Sequence, residues 1–117
     1  MTPLRVTLLK RQQPESILRE KVGLDLKALR IESGGQLYFR KIFGALNGTP
    51  DFLICLCGKF VALELKKSAR EKPDPLQVYN LNAIKKSEGM TFVVHPDNWA
   101  AVLSELRAAC FKNTEAV

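Results

Sequence analysis

Asp51, Glu64 and Lys66 supply two carboxylates and an ammonium, the groups that can hold a divalent cation against a phosphate. Asp51 ends the tripeptide Thr49-Pro50-Asp51, and Glu64-Leu65-Lys66 begins thirteen residues later. Asp51 to Cys57 reads as one strand and Phe60 to Lys66 as the next, with Gly58 between them as a turn residue that tolerates positive φ. Across a two-residue turn, paired residues have numbers of opposite parity and share a face, so Asp51 falls on the face of Glu64 and Lys66. A Cys57-Gly58 turn sets Asp51 directly opposite Glu64; a Gly58-Lys59 turn sets it opposite Lys66 and diagonal to Glu64. A three-residue turn without a bulge would flip one strand and separate the group. Charges in a half-buried strand are costly unless paired or bound to a metal. A solvated Glu64–Lys66 pair on an edge strand would account for the same residues without any chemistry.

Other elements must position this hairpin. Pro14 to Arg30 reads as a helix, with Pro14 in its first turn and Leu18, Val22, Leu26 and Leu29 as an apolar stripe. Glu15 falls within the angular span of that stripe, whereas Glu20 lies roughly 140° away at about 100° per residue. Glu15 is therefore the helical carboxylate expected to face the body of the protein, although any acidic residue suits a first helical turn. Gly23 costs about 1 kcal/mol relative to alanine and marks a place where the helix could break. Leu37 to Phe43 reads as a strand, Pro75 to Ser87 as a second helix, Met90 to Val94 as a strand, and Asn98 to about Phe111 as a last helix capped by Asp97. Residues after Lys112 are expected to fray. The order α-β-β-β-α-β-α, with a helix crossing over before the last strand, predicts an α/β fold: a mixed sheet flanked by helices.

Length and composition frame this reading. The 117 residues suit one domain spanning 1–117, and 46% hydrophobic with 26% charged residues are globular values. The net charge of +6 favours a polyanionic partner. No apolar run approaches about 18 residues, so no membrane span is expected. Met1 to Leu9 lacks the apolar core and cleavage site of a secretory leader, which predicts a cytoplasmic location, that of the host if the chain is phage-encoded. Cys55, Cys57 and Cys110 are odd in number and sit in apolar surroundings, so they read as reduced core residues. A Cys-x-Cys metal site lacks partners at the right spacing. His95 follows a strand and precedes a proline, and reads as structural.

The chain resembles the virus-type replication-repair nuclease (VRR-NUC) domain, a branch of the PD-(D/E)XK phosphodiesterase superfamily. The resemblance rests on Gly48-Thr49-Pro50-Asp51-Phe52-Leu53, on Gly58 to Lys66, on Pro73-Asp74-Pro75-Leu76-Gln77, and on Ile84 to Gly89 leading into Val93-Val94. It covers nearly everything from Glu15 to about Leu106. A bare Asp…Glu-x-Lys is weakly specific, and the same triplet followed by Pro-Leu-Gln on a helix is much more so.

The resemblance implies a restriction-endonuclease-like core and a Mg²⁺- or Mn²⁺-dependent nuclease. It assigns Asp51 and Glu64 as metal ligands, with the backbone carbonyl of Leu65 and the helical Glu15 completing the set. Glu20 is the alternative helical carboxylate, since it keeps a more usual distance to the first strand. Lys66 would activate or position the attacking water, and Gln77 would orient water or phosphate. Three carboxylates are compatible with one metal or two. Arg40, Lys41, Lys67, Arg70 and Lys72 flank the site and are the expected contacts to DNA phosphates, Lys41 first among them because it could share the active face. Lys85 and Lys86 read as the polar face of a helix. The expected substrate is branched DNA, cut by a homodimer that resolves four-way (Holliday) junctions, because a two-fold axis matches that substrate. Flap cleavage or nicking is the nearest rival. A catalytically silent nucleic-acid-binding module, or a structural protein with a solvated Glu–Lys pair, are readings of other classes.

Overall fold

The computed structural model describes residues 14–43 and 47–115, so the stretch read for a leader lies outside the described residues. The elements are α1 (Pro14–Glu32), β1 (Leu37–Lys41), β2 (Phe52–Leu56), β3 (Lys59–Leu65), α2 (Pro75–Lys86), β4 (Met90–Val94) and α3 (Trp99–Glu115). Their order is the expected one. The strands form one sheet in the order β1-β2-β3-β4. Its first three strands are antiparallel, and β4, reached through the crossover helix α2, runs parallel to β3.

The β2–β3 turn is Cys57-Gly58, because Leu56 pairs with Lys59. Both turn residues have positive φ, 49° and 84°, as a type I′ turn requires and as the twist of the two strands favours. This is the first of the two registers the sequence allowed. Extended by one pair beyond Phe52↔Leu63, it sets Asp51 opposite Glu64.

Strand parity divides the sheet. Leu37, Phe52, Ile54, Leu56, Val61, Leu63, Leu65 and Val94 form a buried layer with Leu18, Val22, Leu26 and Leu29 of α1 and with Trp99, Val102 and Leu106 of α3. The α1 stripe is thus where periodicity puts it. Trp99 is buried, and its indole Nε1 donates to Asp25 Oδ2 of α1 at 2.8 Å, which ties the two helices together while satisfying the polar end of the ring. Helix α1 runs unbroken through Gly23.

Several expectations are corrected. Cys57 and Cys110 are bonded as a disulfide rather than reduced, and Cys55 is free and exposed rather than in the core. The tight turn brings Cys57 level with the last turns of α3, with the two Cα atoms 5.4 Å apart, within the span a disulfide bridges. Parity sends Cys55 to the face away from α1 and α3. At the start of α3 the bonds are made by Asn98, not Asp97: its side chain accepts from the His95 N–H and donates to the Val93 carbonyl. His95 sits in this turn, with its backbone N–H bonded to Asn98 and its ring Nδ1 buried without a hydrogen-bond partner. Helix α3 extends to Glu115 rather than ending at about Phe111. No helix among the described residues is long and apolar enough to cross a membrane.

Candidate active site

The site forms where the hairpin strands leave the sheet. Asp51 precedes β2 by one residue, and its Oδ2 accepts from the Leu65 N–H at 2.7 Å. The carboxylate thus takes the place of a ladder partner at the end of β3. The ladder to β1 continues past Asp51 as well, since its carbonyl accepts from the Ile42 N–H at 2.8 Å. Asp51 is therefore fixed through backbone and side chain together.

Glu64 lies across from it on the central strand β3, with only 3% of its side chain exposed. Its Oε1 is buried without a hydrogen-bond partner. Lys66 Nζ stands 3.6 Å from Glu64 Oε2 and 3.9 Å from Glu71 Oε1. Burial pushes the Glu64 carboxyl up to about 8; the neighbouring Asp51 carboxylate pushes the same way by charge, Lys66 opposes it, and a side-chain hydrogen bond with Asp51 and the charge of Glu15 add further upward pushes. Two carboxylates this close cannot both carry full charge cheaply, and the ammonium beside Glu64 does not offset its burial.

Glu15 reaches the group through Arg19, a residue the sequence analysis did not single out. Arg19 Nη2 is 3.7 Å from Glu15 Oε2 and 3.3 Å from Asp51 Oδ1, and its guanidinium lies 5.9 Å from the centre of the Phe43 ring. The Glu15–Arg19 spacing of four is the ordinary helical ion-pair spacing and was visible in the sequence. Glu20, the alternative carboxylate, instead lines a cleft farther along α1.

Gln77 caps its own helix through its side-chain oxygen. Its Oε1 accepts from the Asp74 N–H and its own N–H donates to Asp74 Oδ1, both at 2.9 Å, closing a capping box at the start of α2. Among the expected phosphate contacts, Lys41 does not share the Asp51–Glu64 face. It pairs with Phe52 in the register, so parity turns it toward α1. Arg40 has the active-face parity and stacks on Tyr38, 4.8 Å from the ring centre. Lys67 pairs with Glu71 at 3.7 Å, while Arg70 and Lys72 are exposed in the loop before α2.

The donor set fits a hard cation in one particular way. Among the described residues, no group of three or more acidic, histidine or cysteine side chains is arranged to hold a metal ion. The partnerless Oε1 of Glu64 and the excess negative charge around it nonetheless call for a positive partner. Two carboxylates with several retained waters is the mode Mg²⁺ favours.

Gly48 holds the approach to Asp51. It has φ +83°, and a Cβ there would stand 2.9 Å from the Leu76 carbonyl oxygen and 2.6 Å from Leu76 Cγ, so the loop rests directly on the first turn of α2. Gly48→Ala is expected to cost about 2 kcal/mol, since it combines a left-handed backbone with a backbone collision. Urea titration of the variant against wild type measures this.

A solved structure titled "VRR_NUC domain" is similar to this chain, with 28% sequence identity over 71% of this chain and 92% of that chain and a TM-score of 0.53. No family model matches, and no curated protein matches. The likeness bears out the VRR-NUC resemblance drawn from the motifs, and the mixed four-stranded α/β architecture agrees with a restriction-endonuclease-like core.

Proposed function

We propose that this VRR-NUC-type domain is a nuclease whose phosphodiester chemistry takes place at Asp51, Glu64 and Lys66. The observation that carries the reading is the buried, partnerless oxygen of Glu64 set across from Asp51 with Lys66 alongside. Such an arrangement is costly for folding and useful for binding a cation. Asp51 and Glu64, with the Leu65 carbonyl, would hold Mg²⁺ or Mn²⁺, which when bound supplies charge neutralisation at phosphorus and a more acidic water. Lys66 would hold a phosphate oxygen or the attacking water by charge and hydrogen bond. Glu15, which acts on Glu64 by charge and on Asp51 through Arg19, would be the further carboxylate for the ion. Gln77 contributes by starting α2 squarely, beside the loop that carries Asp51. Cleavage of branched DNA by a homodimer remains the proposed biological activity.

Cleavage of labelled four-way junction, flap and linear duplex with Mg²⁺ or Mn²⁺ tests this. Lys66→Ala is expected to lower the rate at least about a hundredfold, the scale on which single electrostatic contacts act. Symmetric junction cuts would establish the resolving activity; cutting of flap or duplex alone would remove it and keep the site. One observation favours a second reading: both Asp51 oxygens are engaged, by Arg19 and by the Leu65 N–H. DNA binding with no cleavage in any metal would make the chain a silent binding module.

A further inference from the structure

Beside the site, between α1 and the end of β1, lies an open cleft of about 440 Å³ whose lining includes Arg19, Lys27 and Lys41 and the single carboxylate Glu20. Arg19, Gly23 and Lys27 are spaced by four residues and so lie along one face of α1. Gly23 is what admits the third cation. A Cβ there would stand 3.0 Å from Lys41 Cε and 3.3 Å from Lys41 Nζ, so the lysine crosses the helix over the glycine. The result is a row of three positive charges, Arg19, Lys41 and Lys27. It spans about 12 Å at 1.5 Å of rise per residue. Neither Lys27 nor Lys41 has an ion-pair partner among the described residues.

We infer that this cleft is a phosphate track: it takes the backbone of one DNA strand and leads it to Asp51, where Arg19 stands at the junction of track and site. This rests on DNA being the ligand of the proposed nuclease and adds the path that the ligand follows. Length and charge both fit. A run of about 12 Å along the backbone of one strand is long enough to meet at least two successive phosphates. Lys27 and Lys41, neither of them ion-paired among the described residues, against the one lining carboxylate Glu20 leave the cleft net positive and attractive to a polyanion, while Arg19 is shared with Glu15 and Asp51. Such contacts position the backbone without reading bases.

The test is binding of a fluorescent duplex to the full chain in EDTA, by anisotropy over a salt series, so that cutting plays no part. Lys27→Ala/Lys41→Ala is expected to weaken binding and to make the slope of log K against log salt shallower by about 1.8, or 0.9 per lost phosphate contact. Arg70→Ala/Lys72→Ala, in the exposed loop before α2, is expected to change the slope less. Gly23→Ala separates placement from charge. It keeps every cation, moves Lys41, and removes a helix-interior glycine, so weaker binding should accompany a melting temperature that is not lowered. A slope unchanged in the lysine double variant, a larger effect from Arg70 and Lys72, or no binding by wild type would overturn the track. Wild-type binding through the cleft with no cleavage in Mg²⁺ or Mn²⁺ would leave the track in place and remove the nuclease. Cleavage by wild type with an unchanged slope in the variant would do the reverse.

Discussion

Glu64→Gln is expected to lose metal-dependent cleavage more than about a thousandfold and, in the metal-free protein, to melt higher than wild type at alkaline pH. Both effects come from one feature, a carboxyl buried beside another carboxyl. Its pKa is raised from 4.5 to about 8 in the folded chain. The folded state therefore binds the Glu64 proton more tightly than the unfolded state does. Below pH 4.5 both states are protonated and nothing is lost. Stability then falls as pH rises through 4.5 toward 8, and the full penalty is present above that. At about 1.4 kcal/mol per pH unit the penalty is a few kcal/mol. Glutamine keeps the shape and never ionises, so its advantage in EDTA should be absent at pH 4, large at pH 9, and of the order of 10 °C there. Mg²⁺ should narrow the gap by stabilising wild type alone, because a ligand that binds only the folded state raises its melting temperature. Thermal melts of both proteins at pH 4, 7 and 9, with EDTA or Mg²⁺, read all of this. A variant that melts lower than wild type at pH 9 would show that Glu64 is stabilised where it lies.

Cys110→Ser is expected to remove about 4 kcal/mol of stability, the loop-closure value for the 53-residue separation between Cys57 and Cys110. At roughly 4 °C per kcal/mol the melting temperature should drop on the order of 15 °C. Dithiothreitol should do the same to wild type and nothing further to the variant. Cys55→Ser, at an exposed free thiol, should leave the melt unchanged. The disulfide sits at the tip of the hairpin, about 20 Å along the strand from Asp51 at ~3.3 Å per residue. Cleavage well below the melting temperature should therefore survive its loss. A small drop, or a drop confined to activity, would contradict this account.

What the sequence made legible was local. The α1 stripe needed only helical periodicity, and the face shared by Asp51 and Glu64 needed only the parity of a two-residue turn. The capping box at α2 could have been read as well: Asp74, a proline, and a glutamine three residues on is its spacing, and it would have shown that Gln77 has a structural task. Arg19 was legible as the i+4 partner of Glu15. The errors were nonlocal. The face of Lys41 depends on the β1–β2 register, which the long connection before Asp51 leaves open. The pairing of Cys57 with Cys110 depends on where α3 lies across the sheet, and no short-range pattern encodes that.

The Cys57-Gly58 turn has one more consequence. Leu63 and Leu65 go to the core because Glu64 goes to the site, so chemistry and packing are read from the same strand in alternate residues. A one-residue insertion in the turn would exchange the two sets, exposing leucines and burying the acid among them. Length variants of this loop can survive only in even steps or with a compensating bulge. The hairpin is a reading frame of period two, and a frameshift that destroyed the site would also destroy the fold that could have displayed it.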